Sequence, residues 1–223
     1  KVTAKTVAKA AGLPIIESNE LELKTIETAL NEAHRIGYPL MIKAASGGGG
    51  RGMRIVRNDE QLEKGFSEAR SEAKNAFGDD TIFLEKFIDR PRHIEVQIVA
   101  DSYGEVVHLH ERDCSVQRRF QKVVEVAPSL NLSQQTRYQL YHYATSIAKA
   151  VQYNNVGTVE FLIDQDEHIY FIDVNPRIQV EHPVTEMITG IDLIKTHLFI
   201  ADGHRPHGRA NVCPPVTRSH RMP

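Results

Sequence analysis

The chain has 223 residues, 41% of them hydrophobic and 25% charged, with a formal net charge of −2. That length and apolar share support a buried core in one large or two smaller domains, and the near-balanced charge argues against a nucleic-acid-binding surface spread over the protein. No run reaches the length of a membrane span, the charged opening KVTAKTVAKA is not a signal peptide, and the two distant cysteines, Cys114 and Cys213, make neither a metal cluster nor a disulfide framework, so a reducing intracellular compartment is expected.

In chain order, residues 2–11 have helical composition and stop at Gly12 and Pro14, and TIETALNEAHRIG is an amphipathic helix closed by Gly37. PLMIKA and MRIV read as strands on either side of a run of four glycines. DEQLEKGFSEARSEAKNAFG follows as a helix, with Asp59 its expected N-cap. TIFLEKFI, RHIEVQIVAD and GEVVHLHERD read as strands, the last two separated by the turn residues 101–104. A helix begins after Ser133, VGTVEFLID and HIYFIDVN form an antiparallel pair, and DLIKTHLFIADG closes with a helix. Both ends read as cuts in a longer chain, since there is no initiating Met and the last 17 residues lack apolar periodicity.

Three stretches carry chemistry. Gly47, Gly49 and Gly52 spell G-x-G-x-x-G, but a dinucleotide site needs a helix after them and MRIV is a strand; no Lys-Ser or Lys-Thr follows to make a P-loop. What remains is a side-chain-free loop between strands, with Lys43 before it and Arg51 within it, able to fold over phosphates or to be a bare hairpin tip. Glu160, Asp173 and Asn175 on adjacent strands make an oxygen donor set suited to Mg²⁺, the alternative being acidic side chains that face solvent. Beyond them Arg177, Gln179 and Glu181, then His182, lie in a segment expected to be extended, where period-two spacing would put an arginine, an amide and a carboxylate on one side, fit for an oxyanion beside a general base. The third stretch, ERDCSVQRRFQKVVE, gathers Arg118, Arg119 and Lys122 beside Gln117 in a basic loop that either neutralises an anion or is simply solvated.

KAASGGGGRGMRIV, FLEKFIDRPRHIEVQIVAD, HERDCSVQRR, QKVVEVAPS and NPRIQVEHPVTEMITGIDLI together resemble the ATP-grasp core of the biotin carboxylases, the ATP-dependent components of pyruvate, acetyl-CoA, propionyl-CoA and related carboxylases. The resemblance runs from Lys1 to about Pro206 and implies an α+β ATP-grasp fold, two subdomains with antiparallel sheets gripping ATP between them. It divides the chain into an opening helix (1–14), a small lid subdomain (15–88), a large subdomain with the metal and bicarbonate site (89–206) and an irregular tail (207–223). By position, it implies that Lys1 and Lys43 contact nucleotide phosphates and that Gly49 and Gly50 belong to the lid. Glu85, Lys86, Phe87 and Ile88 match the hinge that reads adenine through backbone groups, and His93 and Gln117 match further nucleotide contacts. Glu160, which also meets the nucleotide, Asp173 and Asn175 match the ligands of Mg²⁺ or Mn²⁺; Lys122, Arg177, Gln179 and Val180 match the bicarbonate pocket, and Glu181 the base.

The implied reaction is attack of deprotonated bicarbonate on MgATP to give carboxyphosphate, then carboxylation of biotin on a biotinylated carrier domain, in a cytoplasmic or mitochondrial enzyme that is a homo-oligomer when intact. Some motifs look closest to pyruvate carboxylase and others to the acyl-CoA enzymes. Phe120 stands where most relatives carry a histidine or asparagine, either beside the nucleotide or turned into the core, and Asp173 replaces the more usual glutamate. The family's N-terminal domain and its C-terminal portion, with the arginine that stabilises the biotin enolate, fall outside these 223 residues, so this piece alone is expected not to carboxylate biotin. The rival readings are another ATP-grasp ligase that makes carboxyphosphate, of the carbamoyl-phosphate synthetase kind, and a nucleotide-binding module without turnover.

Overall fold

The computed structural model describes residues 2–19, 22–46 and 53–205. The elements are α1 (Val2–Ala10), α2 (Ile26–Ile36), β1 (Leu40–Ala44), β2 (Arg54–Val56), α3 (Asp59–Phe77), β3 (Ile82–Lys86), β4 (Arg92–Ala100), β5 (Val106–Arg118), β6 (Gln121–Val126), α4 (Gln134–Ala150), β7 (Asn155–Ile163), β8 (Ile169–Asn175), α5 (His182–Thr189) and α6 (Leu193–Ala201). The strands form a three-stranded sheet, β2-β1-β3, and a five-stranded sheet, β6-β5-β4-β7-β8. Among the described residues no helix is long and apolar enough to cross a membrane.

The chain divides into two compact units, the first comprising Lys1–His93, Cys114–Val124 and Leu162–Asp173, the second Ile94–Asp113, Glu125–Phe161 and Val174–Pro223. In the first, α2 and α3 cover the small sheet, and Leu40, Ile42, Leu62, Phe66 and Leu84 fill the core between them. Gly65 lets α3 approach closely, because a Cβ there would lie 3.1 Å from Ile42 Cδ1. The N-cap of α3 is Asn58 rather than Asp59: Asn58 has extended backbone angles and its side chain accepts the Gln61 N–H, as a cap must. Asp59, one residue inside, instead accepts the Tyr38 hydroxyl at 2.8 Å.

The expected antiparallel hairpin around the glycines is present as the β1–β2 pair. Two elements differ from the sequence expectation. The basic stretch is not a loop, because β5 runs on to Arg118 and β6 starts at Gln121, joined by Arg119 and Phe120 with φ of 53° and 63°. Two consecutive positive φ values are the signature of a tight hairpin turn matched to strand twist, normally reserved for Asn-Gly. The segment after β8 is not extended throughout either, since α5 begins at His182, with Glu181 as its N-cap.

In the second unit β4 and β5 pair antiparallel with a register shift between Val96 and Ile98, opposite His110, whose φ is 65°. The extra residue of this bulge belongs to β5. Val99, Leu109, Val156, Leu193 and Ile200 form an apolar core of this unit.

Candidate functional site

In the first unit, the register Met41↔Glu85 and Lys43↔Phe83 makes Lys43 and Glu85 diagonal neighbours on one face. One oxygen of Glu85 takes the Lys43 ammonium and the other takes Lys5 from α1. The side chains of Lys5, Lys43 and Glu85 are 13%, 18% and 3% exposed. Burial pushes the Glu85 carboxyl up, but the charges of Lys43 and Lys5 outweigh it and hold the group below its ordinary value. Burial pulls Lys5 down in spite of Glu85. Two ammonium groups around one carboxylate leave a formal excess of one positive charge at a nearly buried place, which suits a phosphate oxygen. Lys5 carries no signal of its own in the sequence, where it is one lysine among several on a helix.

The stretch expected to act as the hinge, Glu85 to Ile88, is held at several points. Lys86 N–H donates to Glu17 O at 2.8 Å and Phe87 N–H to Pro39 O at 3.0 Å, while Lys86 Nζ donates to the carbonyls of Gly37 and Tyr38 at the end of α2. Phe87 and Ile88 are half-buried. His93 and Gln117 are brought together, with Gln117 Nε2 2.7 Å from His93 Nδ1 and 2.8 Å from the Cys114 carbonyl. An amide N–H donated to Nδ1 places the neutral imidazole's proton on Nε2. Arg119 and Phe120 form the hairpin turn, and Phe120 is 49% exposed, which rules out a core-packing role. Lys122, on β6, is half-buried.

In the second unit Gln179 is buried and donates from Nε2 to Glu160 Oε1 at 3.4 Å. Its oxygen accepts from Arg112 Nη2 at 3.0 Å. Arg112 is fully buried and pairs with Glu95, its cross-strand partner, at 2.6 Å. A pair this buried is destabilising unless every polar atom is satisfied, so its presence asks for a role. Sequence reading passes over both residues; the available signal is a charge at opposite positions of two strands otherwise rich in apolar residues.

Of the expected set of Arg177, Gln179 and Glu181, a Glu181 oxygen lies within 4.8 Å of the Glu95 carboxylate that pairs with Arg112, the residue that holds Gln179. Gln179 is buried, Arg177 is exposed with Nη1 on the Ile178 carbonyl at 3.1 Å, Glu181 is half-buried, and Val180 is 91% exposed. Asn175 ends β8 half-buried. Glu160, half-buried on β7, belongs to the second unit, and Asp173 closes the first unit's share of β8. Lys1, Gly49, Gly50, Arg51, Cys213 and the tail 207–223 lie outside the described residues; Cys114 is a buried thiol.

Residues 1–207 match the family described as carbamoyl-phosphate synthase L chain, ATP binding domain. The chain is 52% identical over 209 residues to pyruvate carboxylase of Bacillus subtilis, covering 94% of this chain and 18% of that protein. It is 52% identical over 205 residues to biotin carboxylase of Halalkalibacterium halodurans, covering 92% of this chain and 45% of that protein. Among solved structures it is similar to the biotin carboxylase domain dimer of 2-oxoglutarate carboxylase from Hydrogenobacter thermophilus, in complex with MgADP, ADP and bicarbonate, with a TM-score of 0.90, 48% identity, and coverage of 95% of this chain and 47% of that one. The chain thus spans less than half the length of the relatives it matches.

Proposed function

We propose, from the premise that this chain belongs to the family of carbamoyl-phosphate synthase L chain, ATP binding domains and has the ATP-grasp fold of the biotin carboxylases, that it serves the ATP-dependent carboxylation of biotin by bicarbonate within a longer carboxylase. The observation that carries the reading is the contact of Gln179 with Glu160, which joins a bicarbonate-pocket residue to a metal-ligand residue inside one unit. The positive excess around Glu85 supports the nucleotide side of the reading.

On this reading Lys43 and Lys1 hold phosphates, Gly49 and Gly50 close over them, Glu85 to Ile88 flank the adenine, and His93 and Gln117 add contacts. Lys122, Arg177, Gln179 and Val180 hold bicarbonate, and Glu181 removes its proton. The oxyanion attacks the γ-phosphate, releasing ADP and forming carboxyphosphate, which breaks into CO₂ and phosphate. The phosphate takes the N1 proton of biotin, and N1 is carboxylated. The donor set of Glu160, Asp173 and Asn175 is all oxygen and fits Mg²⁺ or Mn²⁺, which would screen the charge of the phosphates. Biotin arrives as a substrate on a carrier domain, the assembled enzyme is a homo-oligomer, its compartment is the cytoplasm or the mitochondrial matrix, and pyruvate is favoured over an acyl-CoA as final acceptor.

The test is a chimaera in which this chain replaces the matching segment of the Halalkalibacterium biotin carboxylase. Phosphate release from ATP that needs bicarbonate and rises with free biotin is expected. Release indifferent to biotin would favour the other carboxyphosphate ligase, and MgATP binding without release would favour a binding module.

A further inference from the structure

We infer that Arg112 is a positioning residue that fixes which end of the Gln179 amide faces the reacting oxyanion; the inference rests on the bicarbonate reading above. A guanidinium has five N–H donors and no acceptor. Here all five are used: Nε on Glu95 Oε1 at 2.6 Å, Nη1 on Gln97 Oε1 at 2.8 Å and on Thr185 Oγ1 at 2.7 Å, and Nη2 on Thr158 Oγ1 at 3.4 Å and on Gln179 Oε1 at 3.0 Å. These contacts come from β4, β7, α5 and the segment before α5, so the guanidinium plane is set by partners on every side. Gln97 is itself held, because its Nε2 donates to the Gly157 carbonyl at 2.8 Å.

The consequence is chemical rather than merely architectural. A donor-only neighbour compels Gln179 to turn its oxygen toward Arg112, so its NH₂ points to Glu160, at 3.4 Å. The opposite rotamer would set a carbonyl oxygen against the Glu160 carboxylate and leave an Arg112 N–H buried without an acceptor, two penalties in the low-dielectric interior. An amide held this way offers N–H to an anion and is barred from offering C=O. Arg112 thereby biases the site toward bicarbonate, an acceptor, without touching it.

The experiment titrates the 223-residue chain with ¹³C-bicarbonate at saturating MgADP, following the NMR signal, alongside the MgADP affinity and the melting temperature of each variant. Arg112→Lys keeps the charge for Glu95 but has only three N–H donors, so Gln179 is released. We expect bicarbonate to bind about tenfold more weakly, with MgADP affinity unchanged. Gln179→Glu keeps an acceptor for Arg112 but replaces the N–H facing Glu160. It should retain the fold and lose bicarbonate binding, and it decides the matter if Arg112→Lys fails to fold. Unaltered bicarbonate affinity in a folded Arg112→Lys chain overturns the inference while the bicarbonate reading stands, whereas unaltered affinity in Gln179→Glu overturns the inference together with the place of Gln179 in the bicarbonate pocket. Absence of bicarbonate binding by the parent chain overturns that reading first, and the inference with it.

Discussion

Replacing Glu85 by glutamine isolates the electrostatics of the first unit with almost no change in shape. The carboxylate is the shared partner of Lys5 and Lys43, all three side chains being no more than 18% exposed. The Glu85→Gln change would leave two ammonium groups facing one neutral amide, whose NH₂ is repelled by either of them. Removing one partner of a buried ion pair costs about 3–5 kcal/mol, and for a chain of this size each kcal/mol lowers the melting temperature by about 2–4 °C, so a fall of roughly 6–20 °C is expected at pH 7 without nucleotide. A phosphate brought to Lys43 replaces the lost negative charge, so saturating MgATP should raise the melting temperature more in Glu85→Gln than in the parent. The pH dependence has a definite sign. The folded carboxyl lies below its unfolded value, so its contribution is fully present above the ordinary carboxylate range and is lost as pH falls through the depressed folded value. Glu85→Gln should therefore flatten the acid limb of the stability curve. Thermal melts by circular dichroism with and without MgATP test this; a variant melting within about 2 °C of the parent, with an equal nucleotide shift, would refute the reasoning.

Three further outcomes are expected. Burial, with the charge of His110 beside it, lowers His108 from 6.5 to about 4, so folded stability should decline as pH falls from 6.5 toward 4. His108→Phe, which keeps the stack on Tyr141 at 3.8 Å, should remove that part of the decline, and a urea-melt series across this pH range checks it. Phe120→His, at an exposed turn position, should leave the melting temperature unchanged and tighten MgATP by about two- to tenfold in calorimetric titration, the worth of one neutral hydrogen bond. The isolated 223-residue chain should show no rise in ATP hydrolysis on adding biotin, measured as phosphate release; a biotin-stimulated rate would contradict the expectation that the remaining segments complete the biotin site.

The helices with capping residues at an end and the strands built of apolar runs were legible because local chemistry and tertiary packing agree there. Gly37 ends α2, Ser133 caps α4 through the Thr136 N–H, and Asp192 caps α6, all where side-chain chemistry points. The β5–β6 hairpin was not legible, because Arg119-Phe120 carries no turn signal and its positive φ values are imposed by the pairing of the flanking strands. Helix α5 is eight residues long, too short for its apolar period to stand out. Glu85 and Gln179 were among the candidates, but their partners Lys5 and Arg112 lie 80 and 67 positions away in sequence, where no sequence period reaches.

The stretch from Glu85 to Ile88, proposed above to read adenine, has a further consequence, in the entropy of recognition. A segment that reads a base by its backbone is usually a loop that must be ordered when the ligand arrives, at about 1–2 kcal/mol for each residue fixed. Here Lys86 is fastened through its N–H to Glu17 and through its side chain to the carbonyls of Gly37 and Tyr38 just beyond α2, and Phe87 through its N–H to Pro39. The edge is therefore already set before any nucleotide binds. On that proposal, discrimination between bases resides in a template whose shape is fixed by Glu17 and by residues 37–39 between α2 and β1, and a substitution at Gly37 or Tyr38, far from any base contact in sequence, acts on that template directly.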